Sequence, residues 1–338
     1  MGMLEGITVL DLASVGPAAR ASRWLADYGA RVIKIGPKDP ALQIEPPFHA
    51  YSAHRGMTRA QFDMKDPDDL AAFLDLAADA DVMIESFRPG VVAKLGIGYD
   101  AVKARNPAIV YCSTSGYGQT GPRSQWAGHD LNYLAVTGFL ASTQPRADGG
   151  PPIPGATVAD SAGGGMHAVI AILAALVQRG SSGQGAYLDV SVADGVLALM
   201  ALHVDEYLAT GATPHNVLTG RYACYDTYQA ADGRWLAVAA IEPRFWANLC
   251  RLVGLEQWAD RQTDDGAQDE IRAALRAVFA TKPRDEWTAL LAANDTCVSP
   301  VLEVSEVECA VVDASHPQHG TFRQMAPTLA GTGAGGER

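Results

Sequence analysis

His129, Asp160 and Glu242 are the side chains whose types and settings best suit proton or acyl chemistry. His129 lies in Gly128-His129-Asp130, Asp160 precedes the run Gly163-Gly164-Gly165, and Glu242 precedes Pro243. A histidine titrates near neutral pH and can take or give a proton. A carboxylate can serve as the opposing acid or base, or as a nucleophile that carries an acyl group. Each residue also has an ordinary reading. A lone loop histidine is usually surface or structural, and Asp160 and Glu242 both stand where helices are expected to start, which is where N-caps sit. The glycines add a functional expectation for Asp160, because a helix start without side chains lets an anionic group approach its amides. Lys34, Lys38, Arg55, Lys65, Arg88 and Lys94 fall on candidate sheet-edge loops, and together they suit a ligand with several phosphates.

The elements that would position these residues alternate along the first half of the chain. Ile7–Leu12 reads as a buried strand, Ala18–Tyr28 as a helix and Arg31–Ile35 as a second strand. Asp69–Ala78 (helix), Val82–Ile84 (strand), Ala101–Arg105 (short helix) and Ile109–Ser113 (strand) continue the pattern. Such alternation predicts an α/β domain with a doubly wound open sheet, whose ligands bind at the carboxyl ends of the strands. The loops after Leu12, Ile35, Ile84 and Ser113 are therefore the places to search. Asp160–Gln178 reads as a Gly-rich start to an apolar helix capped by Gly180, and Gly180–Gly185 as a flexible link into the strand Tyr187–Val192. Asp194 to about Leu208 is helical in pattern. After Gly211 the character changes. Tyr225–Tyr228 and Trp235–Ala239 read as a hairpin, Pro243 as a helix start, and Asp269–Thr281 and Arg284–Ala293 as amphipathic helices of a smaller α+β domain.

Several familiar chemistries are missing. No GxGxxG follows the first strand, and no Walker loop, HExxH or GxSxG is present. Cys112, Cys224, Cys250, Cys297 and Cys309 form no CxxC and no zinc-ligand cluster, which fits reduced cysteines in the cytoplasm. The net charge of -12 argues against general nucleic-acid binding. The N-terminus lacks a basic region and a cleavage site, and the apolar run Met166–Val177 is too short to cross a membrane. The expectation is a cytoplasmic protein without nucleic-acid or membrane partners.

LEGITVLDLASVGP, LADYGARVIKI, ESFRPGVVAKLGIGYD, YCSTSGYGQTGPRSQWAGHDLNYLAVTG, ADSAGGG, QGAYLDVSVADG, YDTYQAADGRWLAVAAIEPRFW and CVSPVL are matching stretches. Through them the chain resembles the family III CoA-transferase superfamily, and within it the α-methylacyl-CoA racemases, to about residue 320. The resemblance implies an interlocked homodimer, with the site between domains of different subunits. It implies a large Rossmann-like coenzyme A-binding domain over 1–190 and a linker helix over 191–215. A small α+β domain over 216–300 and a segment over 301–338 returning to the large domain with a disordered tail complete the chain. It carries the paired acid/base roles to His129 and Asp160, a supporting acidic role to Glu242, and an acidic neighbour to Asp130. Coenzyme A contacts carry to Gly16, Phe62, Lys65, Ser86, Phe87, Arg88, Lys94, Gly128, Asn132 and Tyr133. The chain departs from the pattern at Gly36-Pro37, where a basic residue is common, at Lys94 in place of arginine, and in the first loop, SVGPAARAS. The C-terminal segment is also short.

The implied reaction is epimerisation of 2-methylacyl-CoA thioesters through an enolate, in lipid or fatty acid metabolism. It requires no metal or redox cofactor, coenzyme A being part of the substrate. The alternative is CoA transfer between carboxylic acids with Asp160 as nucleophile. A noncatalytic CoA-binding scaffold is a third reading, disfavoured by the joint presence of His129, Asp130, Asp160 and Glu242.

Overall fold

The computed structural model describes residues 2–44, 47–50, 56–143, 145–146, 148–316 and 319–328. Arg55 and the tail 331–338 lie outside the described residues. The chain divides into two compact units, residues 1–202 with 309–338, and residues 203–308.

The first unit contains β1 (Thr8–Asp11), α1 (Gly16–Asp27), β2 (Arg31–Gly36), β3 (Thr58–Gln61), α2 (Pro67–Ala78), β4 (Val82–Glu85), α3 (Val91–Lys94), α4 (Tyr99–Arg105) and β5 (Val110–Ser115). It continues through α5 (Asp130–Val136), a π-helix (Ala159–Met166), α6 (His167–Ser182), β6 (Ala186–Ser191) and α7 (Val192–Leu199). Among the described residues six strands form one parallel sheet in the order β3-β2-β1-β4-β5-β6. That is the Rossmann order, and the sheet is covered on both faces. Val9, Val32, Val82 and Val110 pack with Leu25 of α1 and Ile172 of α6. Leu10, Ile33, Met83 and Tyr111 face the other way, onto Phe73 of α2 and Val102 of α4. Burial on both faces explains why these strands read as continuous apolar runs. The strand order reverses between β1 and β4, so a crevice opens at their carboxyl ends.

α8 (Ala201–Thr210) spans the boundary of the units. The second unit has β7 (Tyr225–Gln229), β8 (Trp235–Ala239), α9 (Pro243–Val253), α10 (Gln268–Phe279), α11 (Arg284–Leu291) and β9 (Val298–Pro300). The strands form an antiparallel sheet, β7-β8-β9, around a core that includes Tyr228, Leu236, Trp246, Leu275, Phe279 and Trp287. The chain then returns to the first unit as the hairpin β10 (Val311–His316) and β11 (Gly320–Met325). There the Phe48 ring stacks on His319 with centroids 4.2 Å apart.

Three local expectations are corrected. α6 does not end at Gly180: it continues to Ser182, and Gly183, at φ 68°, takes the left-handed cap. Gly180–Ser182 is thus helical, not part of a flexible link. The helical pattern beyond Asp194 is two helices, interrupted at Met200. The apolar run is also longer than Met166–Val177. The π-helix and α6 together span Ala159–Ser182, 24 residues that include an 18-residue stretch of mean hydropathy 1.5. By length and composition this helix could cross a membrane, but Ala168, Val169, Ile172 and Ala175 pack it into the sheet core.

Candidate active site

β5 delivers the chain to a loop whose glycines admit two tyrosines. A Cβ on Gly116 would lie 2.5 Å from the Tyr133 ring, and one on Gly128 would lie 2.7 Å from the Tyr117 hydroxyl. The rings of Tyr117 and Tyr133 meet edge to face, 5.1 Å apart. Tyr133 donates its hydroxyl to the Gly128 carbonyl at 2.6 Å. The Asn132 side-chain oxygen accepts the His129 amide at 3.0 Å. His129 therefore occupies the N-cap position of α5 in extended conformation, with φ −127°, and is exposed. Gly128, Asn132 and Tyr133 build this turn and surround the histidine.

Asp160 sits in the first turn of the π-helix, a geometry often found at functional sites. It is not an N-cap, since Val158 holds that position. Asp130, the first residue of α5, reaches across and accepts the Asp160 amide at 2.8 Å. His129 and Asp160 are thus tied together through the residue next to the histidine. Burial is the main influence on the Asp160 carboxyl and raises its pKa, and Asp130 adds to the rise. The positive charges of Arg20 and His129 oppose it. Removal from water therefore governs this carboxyl, although a helix start ordinarily favours an anion. Burial, with the same two carboxylates adding to it, pushes the Tyr133 phenol up to about 12.

The role expected of the three glycines is also overturned. A Cβ on Gly164 would fall 2.4 Å from Pro17 Cβ, and one on Gly163 2.7 Å from Val196 Cγ2. Gly165 packs under Arg20, where a Cβ would come within 3.0 Å of that side chain's own Cβ. The glycines are buried and let α1 and α7 press against the helix that carries Asp160. They leave no open face for a ligand.

Arg20 escapes a motif-based reading and is found by this packing. One of its terminal nitrogens donates to Thr157 Oγ1 at 2.7 Å, and its charge acts on Asp160. Glu242 lies in the second unit, at the N-cap of α9. Its carbonyl accepts the Phe245 amide at 2.9 Å, while its carboxylate is exposed and makes no capping bond.

A cleft of about 370 Å³ opens at the strand reversal, lined in part by Ala13, Ser14, Gly36, Phe62, Lys65, Ser86 and Phe87. Four of the residues expected to touch coenzyme A, Phe62, Lys65, Ser86 and Phe87, are thus brought to one place. Arg88 and Lys94 are exposed and outside that lining, and Gly16 opens α1 at φ 75°. The basic set contracts. Lys34 is buried within β2 and paired with Asp11 at 2.6 Å, and Lys38 is paired with Asp69 at 2.6 Å.

The sequence matches CoA-transferase family III over residues 4–328. The chain belongs to CoA-transferase family III. It is 34% identical to human alpha-methylacyl-CoA racemase over 310 residues, covering 90% of this chain and 79% of that one. It is 31% identical to acetyl-CoA:oxalate CoA-transferase of Acetobacter aceti over 325 residues, covering 90% and 82%. A solved CaiB/BaiF family protein from Brucella suis superposes with a TM-score of 0.75 at 28% identity, covering 90% of this chain and 85% of that chain. The family contains both racemases and transferases, and its members are enzymes acting on coenzyme A thioesters.

Proposed function

We propose that this family III enzyme is a racemase of 2-methylacyl-CoA thioesters. The observation that carries the reading is the coupling of two acid/base groups. His129 stands one residue from Asp130, Asp130 binds the Asp160 amide, and the His129 charge acts on the Asp160 carboxyl. Epimerisation next to a thioester removes one proton and returns another to the opposite face of a planar enolate. Two such groups are the minimum, each contributing about 10²–10⁴-fold. A carboxyl raised by burial is a better proton donor to an enolate near neutral pH than an ordinary aspartate. The cleft would hold the coenzyme A portion through Lys65 and the turn Ser86-Phe87-Arg88, with Gly16 and Lys94 nearby in the assigned set. Glu242 keeps the supporting acidic role that the resemblance assigns it. Coenzyme A enters and leaves as part of the substrate, with no further cofactor.

The working form is proposed as a cytoplasmic homodimer, with residues 1–190 as the coenzyme A-binding domain. Exposed apolar side chains support a second copy: Ile170 and Val177 on α6 and Leu197 and Leu199 on α7.

The test is incubation with a 2-methylacyl-CoA in deuterated buffer. Exchange of the α-proton and appearance of both epimers without a free acid are expected, and His129→Ala abolishes both while the thioester still binds. No exchange across a panel of branched acyl thioesters would refute the reading. The 31% identical transferase relative favours a second reading, acyl transfer through Asp160. That reading predicts turnover only with a free acid and an adduct on Asp160 that hydroxylamine releases.

A further inference from the structure

Two neighbouring strands end at the cleft in buried carboxyl groups. Asp11 closes β1 and is 0% exposed, and Glu85 closes β4 and is 1% exposed. Each turns back to take the amide two residues further on. Asp11 Oδ1 accepts from Ala13 at 2.8 Å, and Glu85 Oε2 accepts from Phe87 at 2.8 Å. Ala13 and Phe87 both line the cleft. The same bond thus shapes the turn on either side of the strand reversal.

The remaining oxygens are satisfied differently. Asp11 Oδ2 accepts from the Lys34 ammonium at 2.6 Å, and Lys34 also donates to the Ala13 carbonyl. Glu85 Oε1 meets the Ser113 hydroxyl, which in turn accepts from the Tyr187 hydroxyl at 3.3 Å. The Glu85 carbonyl accepts from Thr114 Oγ1 at 3.2 Å. Asp11 is a compensated ion, whereas the hydrogen-bond partners of Glu85 are uncharged hydroxyls and an amide. Resting on the coenzyme A reading above, we propose that Glu85 is a positioning residue for coenzyme A. It acts through hydrogen bonds and not through charge, holding Ser86-Phe87-Arg88 in the form that receives the ligand.

This separates two isosteric changes. Glu85→Gln keeps an oxygen for the Phe87 amide and offers an N–H to Ser113 Oγ, so the turn survives. Asp11→Asn leaves the Lys34 ammonium without its counter-charge in a buried site.

Calorimetric titration of coenzyme A into the full chain reads the proposal, with thermal unfolding alongside. Glu85→Ala is expected to weaken affinity by about 10- to 100-fold, the loss of a buried hydrogen bond and its turn. Its KM for the acyl thioester rises more than its kcat falls. Glu85→Gln stays within about threefold of wild type, since the amide oxygen still accepts from Phe87 and the hydrogen-bonded partners carry no charge. Unchanged affinity in Glu85→Ala with a lowered melting temperature would reduce Glu85 to a structural residue and overturn the proposal. So would a Glu85→Gln as weak as Glu85→Ala. Should Glu85→Ala fail to fold, Ser113→Ala removes the Oε1 partner instead: weakened affinity supports the proposal, and wild-type affinity sinks it. A wild-type protein that binds no coenzyme A would sink the functional reading itself, a different result from any of these.

Discussion

Gly164→Ala separates close packing from ligand approach as the reason for the glycine run. The new Cβ would lie 2.4 Å from Pro17 Cβ and 2.9 Å from Val192 Cγ2, where ordinary contact begins at 3.4 Å. Pro17 Cβ is tied to the backbone of α1 and cannot swing aside, so α1 must part from the π-helix by roughly 1 Å, and overpacking of this kind costs about 1–3 kcal/mol. Alanine is intrinsically better than glycine in a helix by about 1 kcal/mol, which offsets part of that. A net loss of up to about 2 kcal/mol is expected in urea unfolding monitored by circular dichroism. The same shift moves Asp160, and a displacement of about 1 Å lowers α-proton exchange by on the order of 100-fold. Gly180→Ala is the matched control. It lies within α6 with nothing inside 4 Å of the new Cβ, so it is expected to stabilise by about 0.5–1 kcal/mol. A Gly164→Ala variant that unfolds at the wild-type urea concentration and exchanges at the wild-type rate would refute the packing argument. Wild-type stability with weakened thioester binding would restore the ligand-approach role.

Two substitutions should move the Asp160 titration in opposite directions. Arg20→Ala removes a charge that lowers its pKa, so the limb of the exchange-rate profile that Asp160 governs moves to higher pH. Asp130→Asn removes a charge that raises it while keeping an acceptor for the Asp160 amide, so the limb moves to lower pH. Shifts in the same direction would break this account. In the second unit, the Arg284 guanidinium pulls Glu306 down to about 2 from its ordinary 4.5. The stability it contributes is present above pH 4.5 and lost as pH falls toward 2, so Glu306→Gln should lower the melting temperature at pH 7 and flatten its decline over that window.

The α/β frame was legible because the buried strands of a parallel sheet are apolar on both faces: Val9, Leu10, Val82, Met83 and Ile84 leave little room for another reading. β3 was not legible. Its sequence Thr58-Arg59-Ala60-Gln61 is an exposed edge with no apolar period, and only pairing with β2 makes it a strand. The end of α6 misled for a related reason, since Gly180 and Gly183 are both plausible caps and hydrogen bonding decides between them. His129 and Asp160 were legible through motif resemblance, but not their link, which runs through Asp130 to a backbone amide. Lys34 looked like a loop cation because its partner Asp11 lies 23 residues away and meets it only across the sheet. Arg20 and Glu85 belong to no motif of catalytic type, and their roles follow from distant neighbours.

The first unit is discontinuous along the chain, and this bears on the order of synthesis. The parallel sheet is complete once Ser191 has left the ribosome. The hairpin β10–β11, which belongs to the same unit, is translated only after residues 203–308. A nascent chain can therefore hold a finished sheet, with its cleft edged by Ala13 and Phe87, for as long as the second unit takes to emerge. The stacking of His319 on Phe48 then joins the latest part of that unit to one of the earliest.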